Sequence, residues 1–159
     1  MQTRPRLKDR LHSLLQGPAQ VIWIGAPVGM GKTTLGRAWA AAQGGTLHSL
    51  RSGDTPPAAW AGLLDRPDPA LCAVLDNLHL AGPDPGWAPW LAGRIEALAP
   101  GARLLLLSRR PPPPCFARLQ LQRRVVCLAA DELLFTPSEA RAAGLPPAPG
   151  NLGGSRAEV

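Results

Sequence analysis

Between Gln20 and Leu35 the chain reads QVIWIGAPVGMGKTTL, a run that gathers the residue types able to hold phosphate. Gly29 and Gly31 let the backbone curl so that N–H groups of residues 29–34 face one anion. A helix that opens at Lys32-Thr33-Thr34 adds its positive end to the same place. Lys32 is spaced to reach the β- and γ-phosphates of a nucleotide, and the Thr33 hydroxyl to ligate Mg²⁺. Ala26, Pro27, Val28, Met30 and Thr34 supply the rest of the backbone cradle. Apolar Val21–Ile24 before the turn and a helical segment after it give the strand–loop–helix context of a Walker A motif. The strict pattern asks for Gly six residues before Lys32, where this chain has Ala26. The competing account is an ordinary strand–turn–helix with a stray lysine.

A second apolar run, LCAVLDN, reads as a Walker B segment. Its strand would deliver Asp76 to the sheet edge, where the carboxylate joins Thr33 at the Mg²⁺. Asn77 follows, where many ATPases of this layout carry an acid that orients or deprotonates water. An amide can hydrogen-bond a water but cannot take its proton as a carboxylate does. Hydrolysis is therefore expected to be weak, or to depend on a partner or another acid; Glu96 and Glu132 are available. A third run, LLLLSRR, offers Ser108 and Arg109 as sensors of the γ-phosphate, since Arg stays charged and binds phosphate bidentately. His79 reads as structural or supporting.

These groups need a scaffold. Leu7, Leu11, Leu14 and Leu15 recur at helical spacing within residues 4–16. Strands are predicted at Val21–Ile24, Thr46–Leu50, Leu71–Leu75, Ala102–Ser108 and Arg124–Leu128. Helices are predicted at Leu35–Gln43, Pro57–Leu64 (capped by Thr55 or Asp54) and Pro85–Leu98. Pro111–Pro114 reads as an extended connector. Thr136-Pro137-Ser138-Glu139 forms a capping-box start for one more helix. Apolar strands alternating with helices imply an α/β fold, a three-layer sandwich with a mainly parallel sheet of about five strands and helices on both faces. Ligands in such folds sit at the carboxyl ends of the strands, where all three polar runs fall. Residues 1–143 form the expected domain, and 144–159 a disordered tail.

Composition bounds the rest. The chain has 159 residues, 45% of them hydrophobic, which suits one globular domain with a sizeable core. Net charge is +6, from 17 Lys+Arg against 11 Asp+Glu. The arginines are scattered and only 4% of residues are aromatic, so no aromatic-studded basic stripe invites nucleic acid. No apolar run approaches the ~20 residues of a membrane span, and a cytoplasmic location is the expectation. Cys72, Cys115 and Cys127 are widely spaced; Cys72 and Cys127 read as small core residues rather than zinc ligands or disulfide partners.

Taken in order, RPRL, GAPVGMGKTTL, VLDNLHL, LLLLSRRPPPP and DELLFTPSEA resemble the nucleotide-binding (NB-ARC/AAA-like) core of STAND-type ATPases. Specifically, they resemble large LuxR-type activators related to the maltose regulator. Relatives resemble SAPAGxGKTTL in the loop, so Ala26 fits their pattern. Leu75, Asp76 and His79 match their LDDxH segment, Ser108, Arg109 and Pro111 their SR-proline sensor, and Asp131 or Glu132, Leu133, Phe135, Thr136, Glu139 and Ala140 their last block. The resemblance covers roughly residues 4–143. It implies a P-loop NTPase core, ATP with Mg²⁺ as ligand, an ATP/ADP switch in transcription regulation, and Arg4 and Arg6 near the adenine. Asn77 departs from the family's second Asp. The segment between the second and third strands is short, and the chain ends where relatives continue into further domains. A stand-alone nucleotide-binding domain, one piece of a split system with a separate regulator chain, and a truncated remnant all fit this departure. Two other functions compete: a small P-loop phosphotransferase with Arg118, Arg123 and Arg124 as lid cations, and a non-catalytic interaction module or remnant.

Overall fold

Strands that are apolar on both sides must be covered on both faces, and the computed structural model shows how this is done. It describes residues 5–27, 29–66, 68–81, 85–128, 130–134, 138 and 141. Helix α1 (Pro5–Leu14) precedes strand β1 (Val21–Gly25), and α2 (Lys32–Gln43) leads to β2 (Thr46–Ser49). Then come α3 (Pro56–Leu64), β3 (Cys72–Asp76), α4 (Trp87–Glu96), β4 (Arg103–Ser108), α5 (Ala117–Leu121) and β5 (Val125–Leu128). The five strands form one sheet in the order β2-β3-β4-β1-β5, and every pairing is parallel.

Strand order decides which face each helix covers. The step from β1 to β2 passes β4 and β3 toward one edge, and all later steps run back the other way. Right-handed crossovers then put α2 on one face and α3, α4 and α5 on the other. Strand alternation follows suit. Ile22, Ile24, Val74, Leu105 and Leu107 pack with Leu7 and Leu11 of α1 and Leu35 and Trp39 of α2. Val21, Trp23, Leu75, Leu104 and Leu106 pack with Trp60 of α3, Leu91 and Ile95 of α4 and Leu119 of α5. The chain is thus an α/β protein with a five-stranded parallel sheet between helices, consistent with a three-layer sandwich. No described helix is long and apolar enough to cross a membrane.

The layer of α2 lies close to the sheet because Gly36 has no side chain. A Cβ there would stand 3.0 Å from both Leu107 Cδ1 and Val74 Cγ1. Gly36→Val is expected to lower stability by about 1–3 kcal/mol, an overpacking cost, as read by urea denaturation; an unchanged midpoint would mean that α2 slides freely on the sheet.

Several expectations shift. The strand predicted from Leu71 begins at Cys72, and the helix predicted over Pro85–Leu98 is shorter at both ends. Thr55 does occupy the N-cap of α3, but its side chain caps nothing. Asp54 instead accepts the Arg51 N–H at 2.8 Å, closing the preceding turn. Pro113 is extended, whereas Pro114 opens a 3₁₀ turn that carries Phe116 into the core. The ring of Phe116 meets Trp23 edge-on, with centroids 5.4 Å apart. Helix α5 was not predicted; five residues are too few to display a helical period. Cys127 is exposed and Cys72 half-buried, so neither is the enclosed core residue expected. Cys127 lies on an edge strand, where cover is thinnest. The predicted capping box falls almost wholly, and the tail wholly, outside the described residues.

Candidate functional site

Strands β3, β4 and β1 are neighbours, so their carboxyl ends bring three polar segments together. Gly25 closes β1 opposite Ser108 of β4, and the Ala26 N–H donates to the Ser108 carbonyl at 3.0 Å. The turn beyond needs two left-handed residues, Gly29 (φ 87°) and Gly31 (φ 80°), where a side chain would be strained. Gly31 is the N-cap of α2 and supplies no side-chain cap. The first-turn N–H groups, which have no intrahelical partner, are thus left to whatever lies before them.

What lies before them is a cavity of about 220 Å³ walled by Gly29, Gly31, Lys32, Thr33, Asp76 and Asn77, with Thr34, His79 and Arg109 completing it. Lys32 is only 9% exposed, and its ammonium donates to the carbonyls of Ala26 (2.6 Å) and Pro27 (3.0 Å). Burial pushes its pKa down, the Asp76 carboxylate pulls it back up, and the Arg109 charge lowers it further. Asp76 is 3% exposed. Its Oδ2 accepts the Thr33 hydroxyl at 2.9 Å, and its Oδ1 the Asn77 N–H at 2.7 Å. Asn77 itself is left-handed (φ 62°), a conformation Asn tolerates better than most residues. Arg109 is exposed, and its guanidinium forms no hydrogen bond or ion pair among the described residues.

Among the described residues, the buried polar and charged ones are Lys32, Asp76 and Ser108. Burying a charge is costly and confers little stability of its own. Lys32 and Asp76 both line this cavity, and Ser108 ends the neighbouring strand β4, so the fold bears the cost of burying them at one end of the sheet. The cleft offers convergent donors and a cation for an anion, with a hydroxyl and a carboxylate side by side. These two oxygens suit a hard cation that takes its remaining ligands from water and phosphate rather than from a protein cage.

Of the residues singled out from sequence, Gly29, Gly31, Lys32, Thr33, Thr34, Asp76, Asn77 and Arg109 come together here. Ala26 is buried beneath them, Pro27 is exposed and Met30 half-buried. Val28 and Arg4 lie outside the described residues. The Arg6 guanidinium donates to the carbonyls of Glu132 (3.1 Å) and Leu134 (3.0 Å), tying α1 to the chain after β5. Glu132 also pairs with Arg10 at 3.0 Å and Glu96 with Arg118 at 3.4 Å; neither acid borders the cavity. Arg124 donates to Gln20 Oε1 and to the carbonyls of Ile95 and Glu96, so it serves as a strut.

Two contributors, Gly25 and Trp23, escaped the sequence. A Cβ on Gly25 would lie 2.6 Å from the Arg110 carbonyl, and that carbonyl accepts the Trp23 indole N–H at 2.8 Å. Gly25 and Trp23 together fix the path of Ser108-Arg109-Arg110. Only the smallness of Gly25 hinted at this. His79 is a wall of the cavity, and its Nδ1 is buried with no hydrogen-bond partner.

Burial and the charges of Arg109 and Lys32 push the His79 pKa below its ordinary value of 6.5, against the pull of Asp76, with Arg110 adding to the lowering. The unfolded chain therefore binds a proton before the folded one does. This contribution to stability is intact above pH 6.5 and is lost as the pH falls below it. His79→Gln is expected to flatten the pH dependence of the denaturation midpoint between about pH 5 and 7; an unaltered slope would place the acid sensitivity elsewhere.

Compared with protein-family models and with curated proteins, the chain matches none.

Proposed function

We propose that this chain is an ATP-binding P-loop domain of the STAND/AAA-like type, acting as an ATP/ADP-dependent switch with weak or partner-dependent hydrolysis. The observation that carries this reading is the convergence of Lys32, Asp76 and the uncapped start of α2 on one cavity. First-turn N–H groups and Lys32 would receive the β- and γ-phosphates. Thr33 and Asp76 would hold Mg²⁺, which supplies charge neutralisation at the phosphate oxygens. Lys32 would exchange two loop carbonyls for phosphate oxygens, a stronger, charge-assisted partner. Arg109 lines the cavity with no side-chain partner among the described residues, and it would meet a terminal phosphate and so distinguish ATP from ADP. A regulatory role in transcription, with further domains or a regulator chain as partner, rests on the sequence resemblance alone.

The test is equilibrium titration of the full chain with Mg-ATP, Mg-ADP and adenosine. Saturable binding of both nucleotides, with adenosine far weaker, is the expected result, because the cavity recognises phosphate. Equal affinity for adenosine, or no binding at all, would overturn the proposal.

A further inference from the structure

A second, larger cavity of about 570 Å³ shares His79 as a wall with the phosphate cleft, within the usual size range of small-molecule sites. Its apolar lining includes Trp23, Leu78, Trp87, Pro111 and Pro113. None of these takes part in holding phosphate. Three polar groups face this apolar enclosure. Ser108 is 2% exposed; its oxygen accepts the Arg110 N–H at 3.1 Å, while its own proton has no acceptor among the described residues. His79 stands in the shared wall with a buried, unpaired Nδ1. Arg110 lines the cavity, and its side chain makes no ion pair among the described residues, though its positive charge reaches the His79 ring.

An apolar chamber with a hydroxyl proton, an imidazole and a guanidinium on one side calls for a molecule with an apolar body and one anionic end. We infer that this cavity binds a small aromatic carboxylate, its ring against Trp87 and Leu78 and its carboxylate between Arg110 and Ser108. The geometry that fixes the chamber is already explained: Trp23 and Gly25 pin the Arg110 backbone, which leaves the Arg110 side chain free to serve the ligand. Apart from the shared wall at His79, the site stands on residues that do not line the phosphate cleft.

The probe is 2-naphthoate, compared with neutral 2-naphthamide, titrated into the full chain by calorimetry with saturation-transfer NMR to identify bound protons. Naphthoate is expected to bind at least tenfold more tightly than the amide. Arg110→Ala is expected to erase that preference and Arg110→Lys to restore part of it. Arg110 is exposed, so these variants keep the fold. Lys32→Ala is expected to leave naphthoate affinity within twofold, which separates this site from the phosphate cleft. Equal affinity for acid and amide, a preference that survives Arg110→Ala, a loss with Lys32→Ala, or no naphthoate binding would each overturn the inference.

Discussion

Lys32→Ala is expected to weaken Mg-ATP binding by about 100-fold, the loss of one charge-assisted contact of roughly 3 kcal/mol. Calorimetric titration of the variant beside the parent reads it directly, and unchanged affinity would sink the phosphate-loop assignment. The same substitution should not lower the melting temperature. Burial holds the Lys32 pKa below 10.5, so the charged lysine is less at ease in the folded chain than in water. The sign follows from proton linkage: the unfolded chain holds this proton more tightly, so the parent gains stability as pH climbs toward 10.5. Lys32→Ala removes that rise. Its cost is two loop carbonyls, those of Ala26 and Pro27, left without their donor, and that of Pro27 lies in an exposed residue that water can reach. A variant that binds no nucleotide and melts no lower is what a residue kept for ligand rather than for fold would give.

The arrangement of the cleft explains why so much of it could be read from sequence. Each chemical group sits at the end of an apolar run, and such runs declare themselves as buried strands. Val21–Gly25, Cys72–Asp76 and Arg103–Ser108 each carry their polar cargo at the carboxyl end, so a parallel sheet brings the cargo together without further instruction. What sequence could not show is order. Nothing in the three runs says that β4 lies between β1 and β3 and so inserts Ser108 and Arg109 between the loop and Asp76. Long-range pairing is decided by packing across the whole sheet, which no local pattern records. The same limit hid α5, whose five residues are held by Leu119 and by the turn at Phe116 rather than by any period. It also hid the Arg110 carbonyl as the partner of Trp23, 87 positions away.

Cys127 shows the opposite error. Its apolar neighbours suggested burial, yet a strand at the sheet edge has one flank open, and there an apolar run does not ensure enclosure. Arg6 makes a related point. The resemblance places it near an adenine, and the structure engages it with the carbonyls of Glu132 and Leu134. Those bonds tie the first helix to the segment beyond the last strand.

Asn77→Asp is expected to raise the turnover of Mg-ATP by tenfold or more, since a positioned general base contributes about 10²–10⁴-fold. Asn77 borders the cavity beside Lys32, Thr33 and Asp76, and its backbone N–H is held by Asp76 Oδ1. Among the described residues its amide contacts only the Leu50 carbonyl, at a long 3.5 Å, so little there holds the side chain in place. Aspartate fits the left-handed backbone at φ 62° nearly as well as asparagine, so the substitution changes chemistry and not conformation. The new carboxylate would neighbour that of Asp76, and this like charge raises the affinity of the pair for a proton. Lys32 and Arg109 oppose the effect from across the cavity. The variant should therefore show a rate that falls on the acid side as the new base becomes protonated, a limb absent from the parent. Asn77→Ala separates the two demands at this position. It should add no turnover and should cost about 1–2 kcal/mol of stability, because alanine strains in the left-handed region. If Asn77→Asp binds Mg-ATP as the parent does and turns it over no faster, position 77 does not address the attacking water. The missing base would then have to come from outside this cavity, where Asp76 is the single carboxylate among the described lining residues and is already committed to Thr33 and Asn77.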